Sequence, residues 1–224
     1  MTGSPLTAPI VFALGPVPVT LPVVTTWGLM ALLTLGSALA TRRLRVERPG
    51  RVQAVLELVV QTLRKQIGET MQADATPFLP LLGTLFLYLA TANLSGLVPG
   101  MKAPTAFIET AAALALIVLL GSQVYGVRAR GLWGYLKGFA HPTPLLLPLN
   151  LLSEVTRAFS LSVRLFGNVM SGEFVIAIVL SLAGLFVPVP LMALELLLGL
   201  VQAYIFTILA AVFIGGAVGS IERG

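Results

Sequence analysis

From Leu147 to Leu185 the sequence runs for 39 residues with no helix breaker after Pro148 except scattered glycines, and from Pro190 to Ile221 it runs for another 32. At about 1.5 Å per residue, helices of those lengths would reach about 58 and 48 Å. The hydrocarbon core of a bilayer is only about 30 Å thick, and membrane helices tilt by about 20° on average. Two such helices fit a membrane only if they lie steeply tilted or bend along its plane, with PVP at 188–190 marking a hairpin between them on the outer side. Composition says that the surroundings are lipid. Hydrophobic residues make up 57% of the 224 positions and charged residues 10%, whereas soluble domains are about one quarter charged.

With these two included, the chain reads as one all-α membrane domain of about five membrane-embedded helices and one amphipathic surface helix. Residues 1–22 are broken by Pro5, Pro9, Pro16, Pro18 and Pro22 and are expected to be irregular and to lie outside the membrane. A first span is predicted over 23–41. It is followed by Arg42, Arg43, Arg45, Arg48 and Arg51, which mark a cytoplasmic end and put the N-terminus outside. Residues 52–72 place Val52, Val55, Leu56, Val59, Leu63 and Ile67 at helical spacing, with Gln53, Glu57, Gln61, Arg64, Lys65 and Glu69 on the other face. That pattern fits a helix lying on the membrane surface or packed on a partner helix. Further spans are predicted over 78–98, with Asn93 near its outer end, and over 105–125, with Arg128 and Arg130 returning the chain to the cytoplasm. Residues 131–140, with Trp133 and Tyr135, suit the headgroup region. The two long segments, 147–185 and 190–221, then leave the C-terminus cytoplasmic. GAVG at 216–219 is a weak signal for close helix packing.

Several chemistries are excluded. There is no cysteine, and the one histidine, His141, has no second ligand type near it, so it reads as a solvated loop residue. No phosphate-binding glycine loop is present. The net charge of +5 comes from basic residues beside hydrophobic segments, which orient a membrane protein and do not make a nucleic-acid surface.

The exception to the oily pattern is SLSVRLFGNVMSGE, 160–173. Arg164 cannot deprotonate, and an arginine at the middle of a membrane helix costs roughly 2.5–3.5 kcal/mol on insertion scales. Such residues usually sit on ion or substrate paths, the alternative being a paired structural role. At about 100° per residue, Ser160, Arg164, Asn168 and Ser171 form one polar stripe, and Glu173 points about 180° away from Arg164. One helix therefore offers a fixed cation to one side and a titratable acid to the other. On the second long helix Glu195 and Gln202, seven apart, share a face. In an antiparallel hairpin, residues at one level have a constant index sum. Arg164 with Gln202 gives 366 and Glu173 with Glu195 gives 368, so the acids share one level and Arg164 with Gln202 a deeper one. Two carboxylates held close in a low dielectric cannot easily both be charged, so at least one should exchange protons near neutral pH. The plainer reading of Glu195 and Gln202 is polar pairing between helices. Glu154 and Arg157 read as an ion pair at the cytoplasmic side.

LPLNLLSEVTRAFSLSVRLFGNVMSGE closely resembles the fourth-to-fifth helix region of the F-type ATP synthase subunit a family, as do ANLSGLVPG at 92–100 and LVQAYIFTIL at 200–209. The resemblance runs in order from about Thr25 onward. It implies an ion-translocating membrane stator with no catalytic site or cofactor of its own, in a bacterial inner membrane. The partners it implies are a ring of c subunits, the peripheral-stalk b subunits and, indirectly, the F1 sector. It further implies that Arg164 faces the essential carboxylate of each c subunit and separates two half-channels, with Asn168, Glu173, Glu195 and Gln202 on the ion path. Two features depart from the family pattern. PTAFIET has Phe107 at an acidic place and Glu109 at an asparagine place, so Glu109 is expected to replace lost polarity. Glu195 stands where many relatives have histidine. The sparse N-terminal region resembles the alternate, sometimes sodium-linked, branch. The competing classes are a self-contained secondary transporter, which favours inverted repeats and Gly/Pro-broken helices not found here, and a structural anchor, which has no need of opposed Arg and Glu faces.

Overall fold

Proline and glycine set most element boundaries. The computed structural model describes residues 10–14, 17–42, 50–98, 101–139, 147–184 and 187–219. His141, Arg43, Arg45, Arg48 and the end of the expected last segment, 220–221, lie outside them. The N-terminal segment is expected to be irregular over 1–22, but its described residues before Leu21 form two antiparallel strands, β1 (Ile10–Leu14) and β2 (Val17–Thr20). A two-stranded hairpin consists only of edge strands, which tolerate proline such as Pro18. Helix α1 (Leu21–Thr41) follows at once, with Pro22 in its first turn where no backbone donor is lost.

The amphipathic helix α2 spans Arg51–Met71 and ends on Gln72, a left-handed residue whose N–H caps Gly68 O. Only its second half packs as its pattern predicts. Leu63, Ile67 and Met71 are buried, whereas Val55 is 60% exposed and Leu56 is also exposed. Gln66 Oε1 accepts a hydrogen bond from Tyr204 Oη at 2.9 Å, tying α2 to the last helix. In the connection that follows, Asp74 accepts hydrogen bonds from the Thr76 hydroxyl at 2.7 Å and the Thr76 N–H at 3.1 Å. The hydroxyl and then the amide hold this exposed carboxyl below its ordinary range.

Helix α3 (Leu79–Ser95) has 17 residues, fewer than the predicted 78–98, because the chain turns at Gly96. A 3-10 turn at Pro104–Ala106 precedes α4 (Ile108–Phe139). The predicted span and the headgroup piece join in α4 across one non-helical residue, Gly131, with φ 72°. Glycine takes this backbone without a Cβ penalty. The chain folds back there, since Tyr135 Oη donates to Gln123 Oε1 at 2.8 Å, although twelve residues of straight helix would separate them by about 18 Å. Gly126 leaves room for the Tyr135 ring.

Helices α5 (Leu147–Ala183) and α6 (Pro188–Val218) have 37 and 31 residues, about 56 and 47 Å at the helical rise. They are antiparallel: Gly172 lies against Glu195, and the Arg157 guanidinium stands 5.8 Å from the Phe213 ring centre. These pairs have index sums of 367 and 370, close to the predicted register. Glu154 and Arg157 form the expected ion pair at 3.4 Å. GAVG packs closely at only some of its positions: an added Cβ at Gly126 of α4 would stand 3.1 Å from Ala217 O. Gly216 has open space where a Cβ would be, while Gly219, with φ 78°, ends α6 beside the Arg130 guanidinium. Arg130 Nε donates to Val218 O at 3.2 Å, a cation at a helix C-terminus where the dipole favours it.

α6 is the centre of the molecule, meeting α2, α3, α4 and α5. Its buried Ala203, Phe206, Ala210, Ala211 and Ile214 pack with Ala111, Leu114, Ala115 and Val118 of α4 and with Leu161 and Leu165 of α5. Lipid gives helices no hydrophobic reason to associate, so the attraction is close van der Waals packing, which small residues permit. α1, α4, α5 and α6 are long and apolar enough to cross a membrane, and α3 is a shorter apolar helix. Phe206 is fully buried, so Phe206→Ala should destabilise the protein by about 3 kcal/mol through the cavity left behind. Thermal unfolding of the purified protein should show a lower Tm, while Leu94→Ala, at an exposed site, should leave it within the scatter of surface substitutions.

Candidate functional site

Two faces of α5 divide the polar residues of 160–173. Leu161, Leu165 and Val169 are buried against the core, and that fixes the rotation of the helix. Ser160 and Arg164 consequently point outward and are exposed, while Ser171, also exposed, borders the cavity described below. Among the described residues Arg164 makes no ion pair or hydrogen bond. Asn168, half-buried, sits at the edge of this stripe and reaches a cavity on the inner side.

That cavity, of about 240 Å³, opens between α3, α5, α6 and the connection before α4. Its polar side chains are Asn93, Asn168, Ser171, Glu173 and Glu195. Glu173 and Glu195 therefore share one space, as their index sum predicted. Glu173 Oε1 accepts a hydrogen bond from the Ala103 N–H at 3.2 Å. Glu195 has no hydrogen-bond partner among the described residues and lies against the α5 backbone at Gly172, where an added Cβ would stand 2.5 Å from its Oε1. Glycine at 172 is thus what makes room for the second carboxylate.

The structure does not bring all five sequence candidates together. Gln202 is only 6% exposed, and its Nε2 has no partner among the described residues. It does not line the cavity, and nor does Arg164. The antiparallel register carries Arg164 to about the level of Gln202, but one faces outward and the other into the helix packing. Glu109, expected to replace polarity lost at Phe107, stands apart from the cavity. It is exposed, accepts a hydrogen bond from the Thr20 hydroxyl at 3.4 Å, and leaves the cavity to other groups. It opens α4 where the chain passes the hairpin, and Phe107 before it is buried.

Three parts of the site were not read from the sequence as cavity groups. Asn93 Nδ2 donates to Gly199 O at 2.8 Å, and its Oδ1 accepts from Thr105 Oγ1 at 2.8 Å. The third is the Ala103 N–H. An asparagine inside an apolar helix is a visible signal, and Asn93 stood out as one. Thr105 and a backbone amide carry none, because their role depends on where the connection between α3 and α4 lands.

Comparison with known proteins accords with this architecture. The family model described as ATP synthase A chain matches residues 23–215. An "ATP synthase subunit a 2" of Bradyrhizobium sp. is 61% identical over 224 residues, covering 100% of both chains. An "ATP synthase subunit a 2" of Pelobacter propionicus is 47% identical over 211 residues, 94% of this chain and 92% of its own. An "ATP synthase subunit a 1" of Chlorobaculum parvum is 48% identical over 204 residues, 91% and 90% respectively. With a family match over most of its length and relatives this similar, the chain belongs to the ATP synthase subunit a family, as a non-catalytic membrane subunit of the Fo sector.

Proposed function

We propose that this subunit couples ion flow to rotation of a c-subunit ring, with Arg164 as the fixed charge facing the ring and the cavity at Glu173 and Glu195 as the ion inlet. The observation that carries the reading is the division on α5: a guanidinium on the outer face without a partner among the described residues, and a carboxylate in a cavity on the other. An arginine exposed toward hydrocarbon is costly. A rotor carboxylate passing this face would supply its counter-charge.

An ion, H+ or Na+, enters from outside, passes Glu173 and Glu195, and loads a rotor carboxylate near Asn168. The loaded, neutral carboxylate can travel through lipid; an ionised one cannot do so cheaply. As the ring brings the next loaded carboxylate to Arg164, the guanidinium favours its ionised form and the ion leaves by a second path on the cytoplasmic side. Gln202, buried on α6 at about the depth of Arg164, leaves its Nε2 without a partner among the described residues. Rotation drives ATP synthesis in the F1 sector, and the b subunits hold this chain still against the ring. The arginines after α1, and Arg128 and Arg130 before the bend at Gly131 in α4, support a topology in a bacterial inner membrane with those points on the cytoplasmic side and the N-terminus outside.

The decisive test is ion-gradient-driven ATP synthesis by the reconstituted complex. Arg164→Ala should bring synthesis to background while the complex still assembles, and a passive leak in the same vesicles would mean that the arginine also seals the two paths. Arg164→Lys should fail as well, since lysine lacks the planar, weakly hydrated and permanently protonated head. Near-normal synthesis by either variant would falsify the role. A second prediction concerns the cavity. Gly172→Val should displace Glu195 and lower synthesis about 10- to 100-fold, the scale on which misplaced groups act. Gly216→Val, where there is open space, should retain it.

A further inference from the structure

The connection between α3 and α4 is anchored more firmly than a linker needs. Thr105 is fully buried and donates to Asn93 Oδ1, while Asn93 Nδ2 donates to Gly199 O, each at 2.8 Å. One asparagine thus links the connection to the middle of α6. The fit is close at both ends. An added Cβ at Gly199 would stand 2.9 Å from Asn93 Cβ, and one at Gly96 would stand 3.1 Å from Ala103 Cβ. Two residues before Thr105, the Ala103 N–H reaches Glu173 Oε1 at 3.2 Å. The sequence Gly199, Asn93, Thr105, Ala103, Glu173 is therefore a mechanical chain from α6, through α3 and the connection, to the acid on α5.

We propose that Thr105 and Asn93 are positioning residues for Glu173, clamping the connection to α6 so that the Ala103 N–H holds one carboxylate oxygen and leaves the other free for the passing ion. The proposal rests on the assignment of Glu173 to the ion inlet. Without the clamp, Asn93 is free to rotate and compete for Glu173, and the amide no longer restricts the carboxylate. Neither Thr105 nor Asn93 needs to touch the ion. The charged groups facing Glu173 are Lys102 of the connection and Glu195 of α6, and neither is altered by the substitutions below.

The test is synthesis by the reconstituted complex as a function of external ion concentration, with pH varied at fixed Na+ and Na+ varied at fixed pH. Thr105→Val keeps the shape and removes the donor. It should raise the ion concentration for half-maximal synthesis about threefold or more, the scale of one net hydrogen bond, while the maximal rate changes less than the half-saturation does. Thr105→Ser, which keeps the hydroxyl, should restore the wild-type value. A merely structural role would reduce the amount of assembled complex and leave half-saturation unchanged, and that result overturns the proposal. Asn93→Ala, which removes both bonds, replaces Thr105→Val if the latter does not assemble; if neither assembles, the clamp serves folding and the proposal falls. Glu173→Gln is measured alongside. If it synthesises ATP like wild type, the inlet assignment itself is wrong; if it fails while Thr105→Val behaves as wild type, only the positioning role is lost.

Discussion

A polar group in hydrocarbon has no water to turn to, and leaving one unsatisfied costs several kcal/mol. The arrangement of this subunit depends on that constraint. Backbone groups are satisfied within the helices, and several hydroxyls bond to carbonyls of the preceding turn, as Thr84, Thr91 and Thr207 do. Apart from Gln202, whose buried Nε2 has no partner among the described residues, the charged groups and the asparagine of 160–173 and their facing acid are sorted into two places. Glu173, Glu195 and Asn168 gather at a cavity, and Arg164 stands on the outer face. A group in either place is available to something else, an ion in the one and a passing partner in the other.

Sorting works because α5 cannot rotate. Leu161, Leu165 and Val169 lock its inner face against the core, so the polar positions between them have no choice of direction. α6 supplies the other wall. Its small residues allow α4 to approach closely, and this is how a helix with little charge can be held from several sides in a lipid environment. Glycine is used for space at two points of the site, Gly172 for the Glu195 carboxylate and Gly199 for Asn93. In both the room is taken by a polar side chain from another helix, so these glycines serve the site more than the backbone.

Much of this was legible beforehand because helix geometry is periodic. The opposed directions of Arg164 and Glu173 follow from their spacing, and the shared level of Glu173 and Glu195 from the antiparallel index sum; the pairs Gly172–Glu195 and Arg157–Phe213 agree with that sum. The N-terminal hairpin was not legible, since prolines that forbid a helix also permit edge strands. Nor was the half-packed state of α2, whose apolar face runs on past the point where α6 stops covering it. Nor was the direction of Glu109, because a matching place in a motif does not say which way the start of a helix will turn; it faces Thr20.

The sequence by itself determined the solvent, the number and length of the long helices and the opposition of the two charges on α5, since each depends on composition or on residues a few turns apart. Only the tertiary structure decided which groups close the cavity. The Ala103 amide, the Thr105–Asn93–Gly199 bonds and the exclusion of Gln202 from the cavity join segments up to 106 residues apart. Such contacts depend on where a connection lands and on whether a Cβ leaves space, and no periodicity records either.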